Sequence, residues 1–343
     1  MALGALPKRK RPEVIRRIGL LKTAAIGDTA LLSVITRDIA HAFPEAELVL
    51  VTGEDNAGVA PLLRPAVTRH VRISTVQPLA AIRTLRAERF DVIADCGSWP
   101  RIDAVLTALS GARWRLGFRT RKQHRHYAYD VSVPHSAELH ELANYRMLVE
   151  ALGVRGGSAP RLLAPKSLPT ERLPASPFLV FHPWAGGFRG ELREWPERRW
   201  VELAGRLAHL GRILITGSAA EADRSAGLAR RMADAGADHA ESVAGRYSLS
   251  ELADVLSTAS LVVSVNTGVM HLAALLGAPT LSLNGPTNER RWGPVGERVV
   301  SVNPSVSGCG YLDLGFEYDG QRTDCMEHIA VNDVEAAVRQ LVS

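Results

Sequence analysis

Residues 261–287 read LVVSVNTGVMHLAALLGAPTLSLNGPT and are the most informative part of the chain. The apolar run Leu261 to Val265 predicts a buried strand, and after a short polar turn a helix is expected to begin at Gly268. The sequence Gly277-Ala-Pro279 should end that helix, and Thr280 to Leu283 should form a second strand. A strand, a helix and a strand in this order predict a βαβ unit of a parallel sheet.

The start of this helix has the features of an anion-binding site. A helix N-terminus behind a parallel strand directs free N–H groups and the positive end of the helix dipole at a phosphate. Asn266 or Thr267 supplies the short side-chain oxygen that is typical of an N-cap. His271 lies one turn further on and points back over the same end. A crossover without a ligand would have the same strand, cap and helix, so the pattern alone leaves a structural role open.

Strand and helix patterns alternate along the rest of the chain, which predicts further βαβ units. Examples are a helix over Thr29 to Phe43 and a strand over Asp91 to Asp95. Prolines recur between Pro160 and Pro177 and mark a linker. We therefore predict an α/β protein with two doubly wound, Rossmann-like domains, residues 1–175 and 176–343, that face each other across a ligand-binding cleft.

The composition is that of a globular protein with substantial cores, since 46% of the 343 residues are hydrophobic and 22% are charged. No apolar run approaches the roughly 20 residues that are needed to cross a bilayer. Residues 1–17 are basic, with Lys8-Arg-Lys-Arg11, and they lack the apolar segment of a secretory signal. We therefore expect a cytoplasmic protein.

Positive charge is concentrated in the first half of the chain. Residues 1–175 hold 26 Lys and Arg against 16 Asp and Glu, a balance of +10, and the remainder holds 15 against 20, a balance of −5, which together give +5. A basic half favours an anionic partner. Aromatic residues do not alternate with the basic ones as in RNA-binding modules, so an acidic glycan or an anionic membrane surface is favoured and nucleic acid is not. A solvated basic surface is the alternative.

The three cysteines, Cys96, Cys309 and Cys325, are too few for a disulfide framework and form no C-x-x-C pair. Free thiols are therefore the expected state. A disulfide or a metal contact between Cys309 and Cys325 is the alternative.

Several blocks of the chain together resemble glycosyltransferase family 9, the bacterial heptosyltransferases that build the inner core of lipopolysaccharide. The order Asn-Thr-Gly-x-x-His-Leu-Ala-Ala-x-x-Gly-x-Pro, which begins at Asn266, is similar to the donor-site block of that family. The other similar blocks follow the family's order from about Val14 onward: 21–30 (LKTAAIGDTA), His182-Pro183, Arg193-Glu-Trp-Pro196, 217–221 (GSAAE), Asn284-Gly-Pro-Thr287 and Arg291-Trp-Gly-Pro294.

The resemblance implies the GT-B fold, with an acceptor-side domain over residues 1–175 and a nucleotide-sugar domain over 176–343. It also implies that the last helix, expected over 331–343, crosses back to the first domain. The implied reaction is an inverting transfer of heptose, or a related sugar, from an ADP-activated donor to a lipopolysaccharide core or a similar anionic glycan or glycolipid. The nucleotide sugar is a substrate, so no cofactor is implied. The enzyme would work at the inner face of the bacterial inner membrane, in peripheral contact with anionic lipid.

Asp28 is the candidate general base for the acceptor hydroxyl. It follows Gly27 at the turn from a strand to a helix, where a side chain projects into a cleft, and the resembling block of the family has its proposed base at this carboxylate. A helix N-cap is the alternative role for an aspartate at such a turn.

The departing diphosphate needs positive charge. No Asp-x-Asp occurs in the chain, so no metal held by paired carboxylates is expected. Thr267, Gly268 and His271 at the helix N-terminus would then stabilise the leaving group together with Arg193. Arg193 stands where the family usually has a lysine, and arginine binds phosphate through two N–H groups. A surface cation beside two glutamates is the alternative for Arg193.

The remaining candidates are less specific. Glu221 corresponds to an acidic position that contacts the nucleotide ribose in the family, or else it is a favourable acid in the first turn of a helix. Tyr247 is a candidate wall for the nucleotide base, with a core aromatic as the alternative. Acceptor-binding candidates are the basic residues Lys22, Arg101, Arg119 and Arg121. The last two belong to a basic stretch that also contains Lys122, His124, Arg125 and His126. A solvated loop is an equally good interpretation of this stretch.

Asn266 departs from the family pattern. Members that transfer heptose usually carry aspartate here, where its carboxylate accepts hydrogen bonds from the sugar hydroxyls. Asparagine keeps the shape but replaces one acceptor with a donor and removes the charge, so the donor sugar is left open. Two other classes of function also stay open: a sugar-nucleotide epimerase of the same architecture, and a non-catalytic nucleotide-binding module.

Overall fold

The computed structural model describes residues 8–342, so the start of the basic leader and Ser343 lie outside the described part of the chain. Contacts divide the chain into two compact units, Met1–Pro160 and Arg161–Ser343. This division lies at the beginning of the proline-rich stretch, whereas the sequence interpretation placed it at residue 175. The difference arises because residues such as Leu162 and Lys166 already bond to the second unit, at Leu275 O and Asp254 Oδ1.

The first unit is built on a six-stranded parallel sheet with the order β3-β2-β1-β4-β5-β6. The strands are β1 (Arg17–Lys22), β2 (Glu47–Thr52), β3 (Arg69–Arg72), β4 (Val92–Asp95), β5 (Trp114–Arg119) and β6 (Val131–Pro134). The helices are α1 (Ile26–Leu31), α2 (Ser33–Ala42), α3 (Pro78–Ala87), α4 (Arg101–Leu109) and α5 (Glu141–Glu150). The central strands are almost continuously apolar because helices cover both faces of a parallel sheet.

The second unit repeats the plan with the order β12-β11-β10-β7-β8-β9. The strands are β7 (Phe178–His182), β8 (Arg212–Ile215), β9 (Ala240–Ser242), β10 (Leu261–Val265), β11 (Thr280–Leu283) and β12 (Val299–Val302). The helices are α6 (Glu197–Leu207), α7 (Ala222–Asp234), α8 (Leu249–Thr258), α9 (Gly268–Leu275), α10 (Glu289–Trp292) and α11 (Val331–Val342). The doubly wound α/β class predicted from the sequence is confirmed in both units.

Local predictions succeed where glycine, proline or polar turn residues mark the ends of an element. The strand, helix start and second strand predicted between Leu261 and Leu283 match β10, α9 and β11. Gly277 follows the helix with φ +87°, a conformation that glycine adopts without steric cost. The single helix predicted over Thr29 to Phe43 is wrong, because two helices separated at Leu32 cover this region and the first begins at Ile26.

The last helix, α11, packs on α6 and on the second sheet. Its buried residues Val331, Val334 and Val338 belong to the main hydrophobic core of the second unit. The apolar face of the helix is thus buried in the core of the second unit. The helices within residues 8–342 include none with the length and apolar character that a bilayer crossing needs.

A disulfide joins Cys309 and Cys325, whereas Cys96 is a free, buried thiol. The expectation of three free thiols is therefore wrong for two of them. The chain after β12 turns back on itself, and backbone bonds from Gly310 N and Leu312 N hold it to the turn that follows β11. We name residues 309–325 the disulfide loop. Spacing alone does not show such a reversal, which is why the pairing stayed open at the level of sequence.

Candidate active site

Each sheet changes its winding direction at one pair of neighbouring strands. In the first unit these are β1 and β4, and in the second they are β7 and β10. Crossovers leave in opposite directions there, which opens a crevice beyond the carboxyl ends of the strands where ligands of doubly wound proteins bind. We name these places the first and the second switch point.

At the second switch point, helix α9 offers its N-terminus. Thr267 occupies the N-cap position in an extended conformation, and its side chain makes no capping hydrogen bond to the first turn. The hydroxyl instead lies 3.5 Å from Ser264 Oγ. Gly268 opens the helix without a side chain that would shield its backbone, and His271 lies one turn in, 4% exposed. An N-terminus without a side-chain cap suits an anion.

A glycine-rich loop follows β7 at the same switch point. Gly190 has to be glycine, because a Cβ there would lie 2.0 Å from Ala185 O. Arg193 ends the short 3₁₀ turn Gly190–Arg193 and donates from Nη2 to Gly186 O, so the guanidinium lies over the loop. Arg193 therefore bonds to a loop carbonyl and also contacts the Tyr318 side chain, and its role in binding phosphate stays a prediction.

The disulfide loop packs on the glycine-rich loop through aromatic contacts. Tyr318 is 2% exposed, with the ring of Phe188 edge-on at 5.8 Å and the guanidinium of Arg189 at 5.2 Å from its ring centroid. Burial raises the pKa of the Tyr318 hydroxyl above its usual value, and the nearby charge of Arg193 opposes that rise. The Cys309–Cys325 bond therefore tethers a segment that covers part of the candidate donor site.

His182 and Glu221 lie at or after the carboxyl ends of the neighbouring strands β7 and β8. His182 ends β7, is buried, and has its Nδ1 2.9 Å from Thr216 Oγ1. Burial lowers the pKa of His182 to about 4, although the charge of Glu221 opposes the shift, so the ring is neutral at pH 7. Glu221 Oε2 accepts a hydrogen bond from Ser218 N at 2.6 Å, which completes a capping box before α7. The helix-start role weighed for Glu221 is therefore present.

Tyr247 lies just before α8 and is half-buried. Burial, together with the charge of Glu241, raises the pKa of its hydroxyl. The residue is thus neither in the core nor fully exposed. Its role as a wall for the nucleotide base stays a prediction.

Asn266 lies directly after β10 and is 6% exposed. Its amide nitrogen Nδ2 donates to Asn284 Oδ1 at 2.9 Å and to Trp292 O at 2.8 Å. Asn266 does not cap helix α9, because Thr267 holds the cap position. Both N–H groups of this side chain are therefore committed to the protein.

At the first switch point, Asp28 is held by Lys22. Helix α1 has Ala25 at its N-cap, so Asp28 lies in the first turn and the cap alternative does not apply. Lys22 Nζ lies 2.8 Å from Asp28 Oδ2, with the lysine side chain 4% and the aspartate side chain 25% exposed. Burial by itself lowers the pKa of Lys22, but nearby carboxylates, above all that of Asp28, outweigh burial and raise it. Lys22 is therefore a buried partner of Asp28, and its role in binding the acceptor stays a prediction.

Two further carboxyl groups, those of Asp95 and Asp103, are buried at the first switch point. Asp103 is 1% exposed and accepts a hydrogen bond from Thr23 Oγ1 at 2.6 Å. Asp95 ends β4 and accepts from Arg125 Nη2 and from the Tyr129 hydroxyl, each at 2.5 Å. Burial and then the charge of Asp95 raise the pKa of Asp103 to about 7. Arg125 is thus an internal counter-ion, although the sequence interpretation included it in a basic surface stretch.

The other acceptor-side candidates are exposed. Arg101 begins α4 and lies 3.5 Å from Lys122 O through Nη2, while Arg119 ends β5 and Arg121 follows it. The charge of Arg119 also acts on His126, whose pKa is lowered by burial first and by these neighbouring cations second. Arg101, Arg119 and Arg121 thus lie at the carboxyl-end edge of the first sheet and are exposed, whereas Lys22 is buried.

Comparison with known proteins decides the family. The model of glycosyltransferase family 9 (heptosyltransferase) matches residues 79–309. The chain belongs to this family. A lipopolysaccharide heptosyltransferase 1 from Pseudomonas aeruginosa is 31% identical over 316 residues, which cover 83% of either chain. The enzyme of the same name from Escherichia coli K12 is 28% identical over 306 residues, 83% of this chain and 92% of the relative. This family 9 protein is therefore a glycosyltransferase.

Solved structures agree on the fold. The E. coli heptosyltransferase WaaC with ADP has a TM-score of 0.74 at 22% identity, covering 94% of this chain and 99% of the other. The E. coli ADP-heptose lps heptosyltransferase II has a TM-score of 0.74 at 20% identity, covering 95% and 98%. The GT-B class expected for this family 9 enzyme is confirmed.

Sequence reasoning missed several residues at both switch points. Asp95 and Asp103 were missed because an isolated aspartate belongs to no motif. Asp95 is nevertheless the last residue of its strand, and Asn266 occupies a similar place directly after β10. Asn303, which accepts from Asn284 Nδ2 at 3.2 Å, was missed for the same reason. A rule that marks the polar residue at or just after the end of every predicted parallel strand would have found both Asp95 and Asn303.

Proposed function

We propose that this glycosyltransferase transfers heptose from an ADP-activated donor to a lipopolysaccharide core acceptor with inversion at the sugar carbon. The observation that carries the proposal is the second switch point, where the uncapped N-terminus of α9 follows β10 and the loop that ends at Arg193 follows the neighbouring strand β7. Such a site suits a diphosphate. The relatives that match most of the chain are named as lipopolysaccharide heptosyltransferases, which supports heptose as the sugar.

In the proposed reaction, Asp28 removes the proton from the acceptor hydroxyl. The acceptor oxygen forms a bond to the anomeric carbon of the sugar, and the bond between that carbon and the diphosphate oxygen breaks. The electron pair leaves with ADP. Lys22 holds the Asp28 carboxylate in place through the 2.8 Å contact, and a positioned base of this kind contributes about 10² to 10⁴ in rate.

The charge that develops on ADP would be met by the protein itself. Thr267, Gly268 and His271 direct the positive end of α9 at the phosphates, and Arg193 adds a full charge. Glu221 is proposed to meet the ribose through the oxygen that the capping box leaves, and Tyr247 to pack on the base. No metal or cofactor enters this mechanism. Within residues 8–342, no three His, Cys, Asp or Glu side chains converge in a way that suits a metal ion.

The acceptor is proposed to be anionic. Arg101, Arg119 and Arg121 are exposed at one edge of the first sheet and would bind phosphates or acidic sugars of a glycan or glycolipid. The same basic half favours peripheral contact with the anionic inner face of the bacterial inner membrane, in keeping with a cytoplasmic enzyme. Nucleic acid is not proposed as a partner.

Incubation with ADP-heptose and heptose-deficient lipopolysaccharide tests the proposal. We expect ADP release that depends on the acceptor, and an acceptor heavier by one heptose in mass spectrometry. Omitting the acceptor should reduce ADP release to the slow rate of hydrolysis. Isomerised nucleotide sugar without an acceptor would instead indicate an epimerase. Binding of ADP-heptose with neither reaction would indicate a nucleotide-binding module, and either result would refute the proposal.

A further inference from the structure

Three neighbouring strands of the second sheet are each followed directly by asparagine. Asn266 follows β10, Asn284 follows β11 and Asn303 follows β12. The parallel register pairs Val265 with Leu283 and Leu283 with Val302, so the three following residues lie side by side. Their amides are linked by hydrogen bonds, and we name this row the asparagine ladder.

The ladder has one direction. Asn266 Nδ2 donates to Asn284 Oδ1 at 2.9 Å, and Asn284 Nδ2 donates to Asn303 Oδ1 at 3.2 Å. Asn303 Nδ2 then donates to the carboxylate oxygen Oε2 of Glu289 at 2.5 Å. Asn284 and Asn303 therefore each give an N–H group toward the Glu289 end and receive one from the Asn266 end, whereas Asn266 gives one N–H group along the row and the other to Trp292 O.

Both ends of the ladder are groups that only accept hydrogen bonds. Trp292 O, a backbone carbonyl, accepts from Asn266 Nδ2 at 2.8 Å, and the Glu289 carboxylate accepts at the other end. A carbonyl and a carboxylate have no N–H or O–H to offer. If any one amide were turned over, two acceptors would face each other at an end or in the middle. The orientation of Asn266 is thus set by its direct contact with Trp292 and supported by the row, whose far end at Asn303 and Glu289 is exposed.

This orientation leaves one free group on Asn266. Both N–H groups are used, whereas Oδ1 accepts no hydrogen bond from the residues that the structure describes. The side chain lies between the end of β10 and the N-terminus of α9, the crevice to which the donor is assigned. What Asn266 can present to a ligand is therefore a neutral acceptor and not a donor.

We propose that the asparagine ladder is the specificity device of the donor-sugar site, with Asn266 Oδ1 accepting a hydrogen bond from a sugar hydroxyl and Asn284 and Asn303 as positioning residues. This inference rests on the proposed function, because it takes the second switch point as the donor site. The ladder keeps the acceptor that an aspartate would supply and omits its charge. It also makes aspartate a poor substitute here, since a carboxylate oxygen would face Trp292 O and Asn284 Oδ1.

A double-mutant cycle between Asn266 and Glu289 tests the ladder. In Asn266→Asp, relief would need Asn284 and Asn303 both to turn over, which would bring Asn303 Oδ1 against the Glu289 carboxylate. Glu289→Gln supplies an N–H at that point, so the row can reverse and only the contact with Trp292 O stays unfavourable. We therefore expect Asn266→Asp to lower kcat/KM for ADP-heptose more than about tenfold in the wild-type background, and at least about fivefold less severely in the Glu289→Gln background.

The control is Glu297→Gln, which changes an exposed glutamate before β12 that is not in the row. In that background the effect of Asn266→Asp should be unchanged. Residues that do not communicate have additive effects to within about twofold. Additivity between positions 266 and 289 would therefore overturn the ladder.

Urea unfolding gives a second measurement that needs no activity. It is applied to the wild type, Asn266→Asp, Glu289→Gln and the double variant. If the wild type transfers no sugar, the proposed function fails, and coupling in the unfolding midpoints still decides whether the ladder exists. Coupling in stability without coupling in kcat/KM would show that Asn266 does not meet the sugar and would overturn the specificity role. Should Asn266→Asp alone not fold, Asn266→Asp with Asn303→Ala is expected to fold, because Asn284 is then free to turn. Failure of that double variant to fold would also count against the ladder.

Discussion

The two switch points have the same topology and opposite chemistry. The first holds ionisable groups that are paired with one another, namely Lys22 with Asp28 and Arg125 with Asp95, and a third carboxyl at Asp103. The second holds neutral amides and backbone N–H groups, with Arg193 as its cation. Equivalent crevices of two similar sheets have thus been filled with different kinds of group.

The difference follows from what each site has to do with charge. A group that takes up a proton has to be titratable, and buried neighbours of both signs set its pKa. A site for a diphosphate needs fixed positive potential, which helix N–H groups supply without gaining or losing protons. A sugar hydroxyl needs an acceptor in a fixed place, and an amide held in one orientation supplies it. The contrast fits the proposed division of labour, with proton transfer in the first unit and donor binding in the second.

The largest expected effect is the loss of the proposed base. Asp28→Asn keeps the shape of the side chain but removes its basicity, so transfer should fall by about 10² to 10⁴. The affinity for ADP, measured by calorimetry, should stay nearly constant because the nucleotide is assigned to the second unit. Asp55→Asn, an exposed aspartate on the first unit, is the matched control. If Asp28→Asn keeps most of the transfer rate, Asp28 is not the general base and the first switch point is not the site of proton transfer.

A smaller effect is expected on the pH dependence of stability. The pKa of Asp103 is raised to about 7 in the folded protein, above its ordinary value of 3.8. The folded state therefore holds a proton that the unfolded chain has lost, and the free energy of unfolding falls as pH rises from about 4 to about 7. Asp103→Asn stays neutral and lacks this fall. Since one pKa unit corresponds to about 1.4 kcal/mol, the wild type should lose about 2–3 kcal/mol more than the variant between pH 5 and pH 8.

Urea unfolding at those two pH values measures this difference. Parallel pH profiles for the two proteins would show that Asp103 is ionised throughout, and the buried carboxylates of the first switch point would then be an ordinary set of ion pairs.

The smallest of these effects concerns the fixed positive charge of the second switch point. Arg193→Gln should weaken ADP binding about tenfold and leave adenosine binding nearly unchanged, because the partner of the guanidinium is the diphosphate. Arg198→Gln, which changes an exposed arginine of α6, is the matched control. Calorimetric titration with both ligands checks the result. Equal losses for ADP and adenosine would mean that Arg193 supports the loop through Gly186 O and does not contact phosphate.

Sequence reasoning recovered the elements around the donor site because their signals are local. The apolar run at Leu261 to Val265 and the breakers at Gly277 and Pro279 depend only on neighbouring residues, and β10 and α9 follow them closely. The family blocks then singled out Asp28, Arg193 and Asn266, which the structure places at the two switch points.

Errors arose where a residue's role depends on distant neighbours. Arg125 was grouped with a basic surface stretch, yet it is buried against Asp95, 30 positions away in the chain. The Cys309–Cys325 bond was likewise hidden, because it depends on where the chain returns after β12.

The sequence by itself determined the order of strands and helices, the type of side chain at each strand end and the membership in glycosyltransferase family 9. Tertiary structure alone decided that β10, β11 and β12 stand side by side, so that Asn266, Asn284 and Asn303 form one row. It also decided that β1 lies beside β4, which brings Thr23 to Asp103. The physical reason is that helix and strand signals act over a few residues, whereas the partner of a buried charge or amide is set by strand order, which joins residues far apart in the chain.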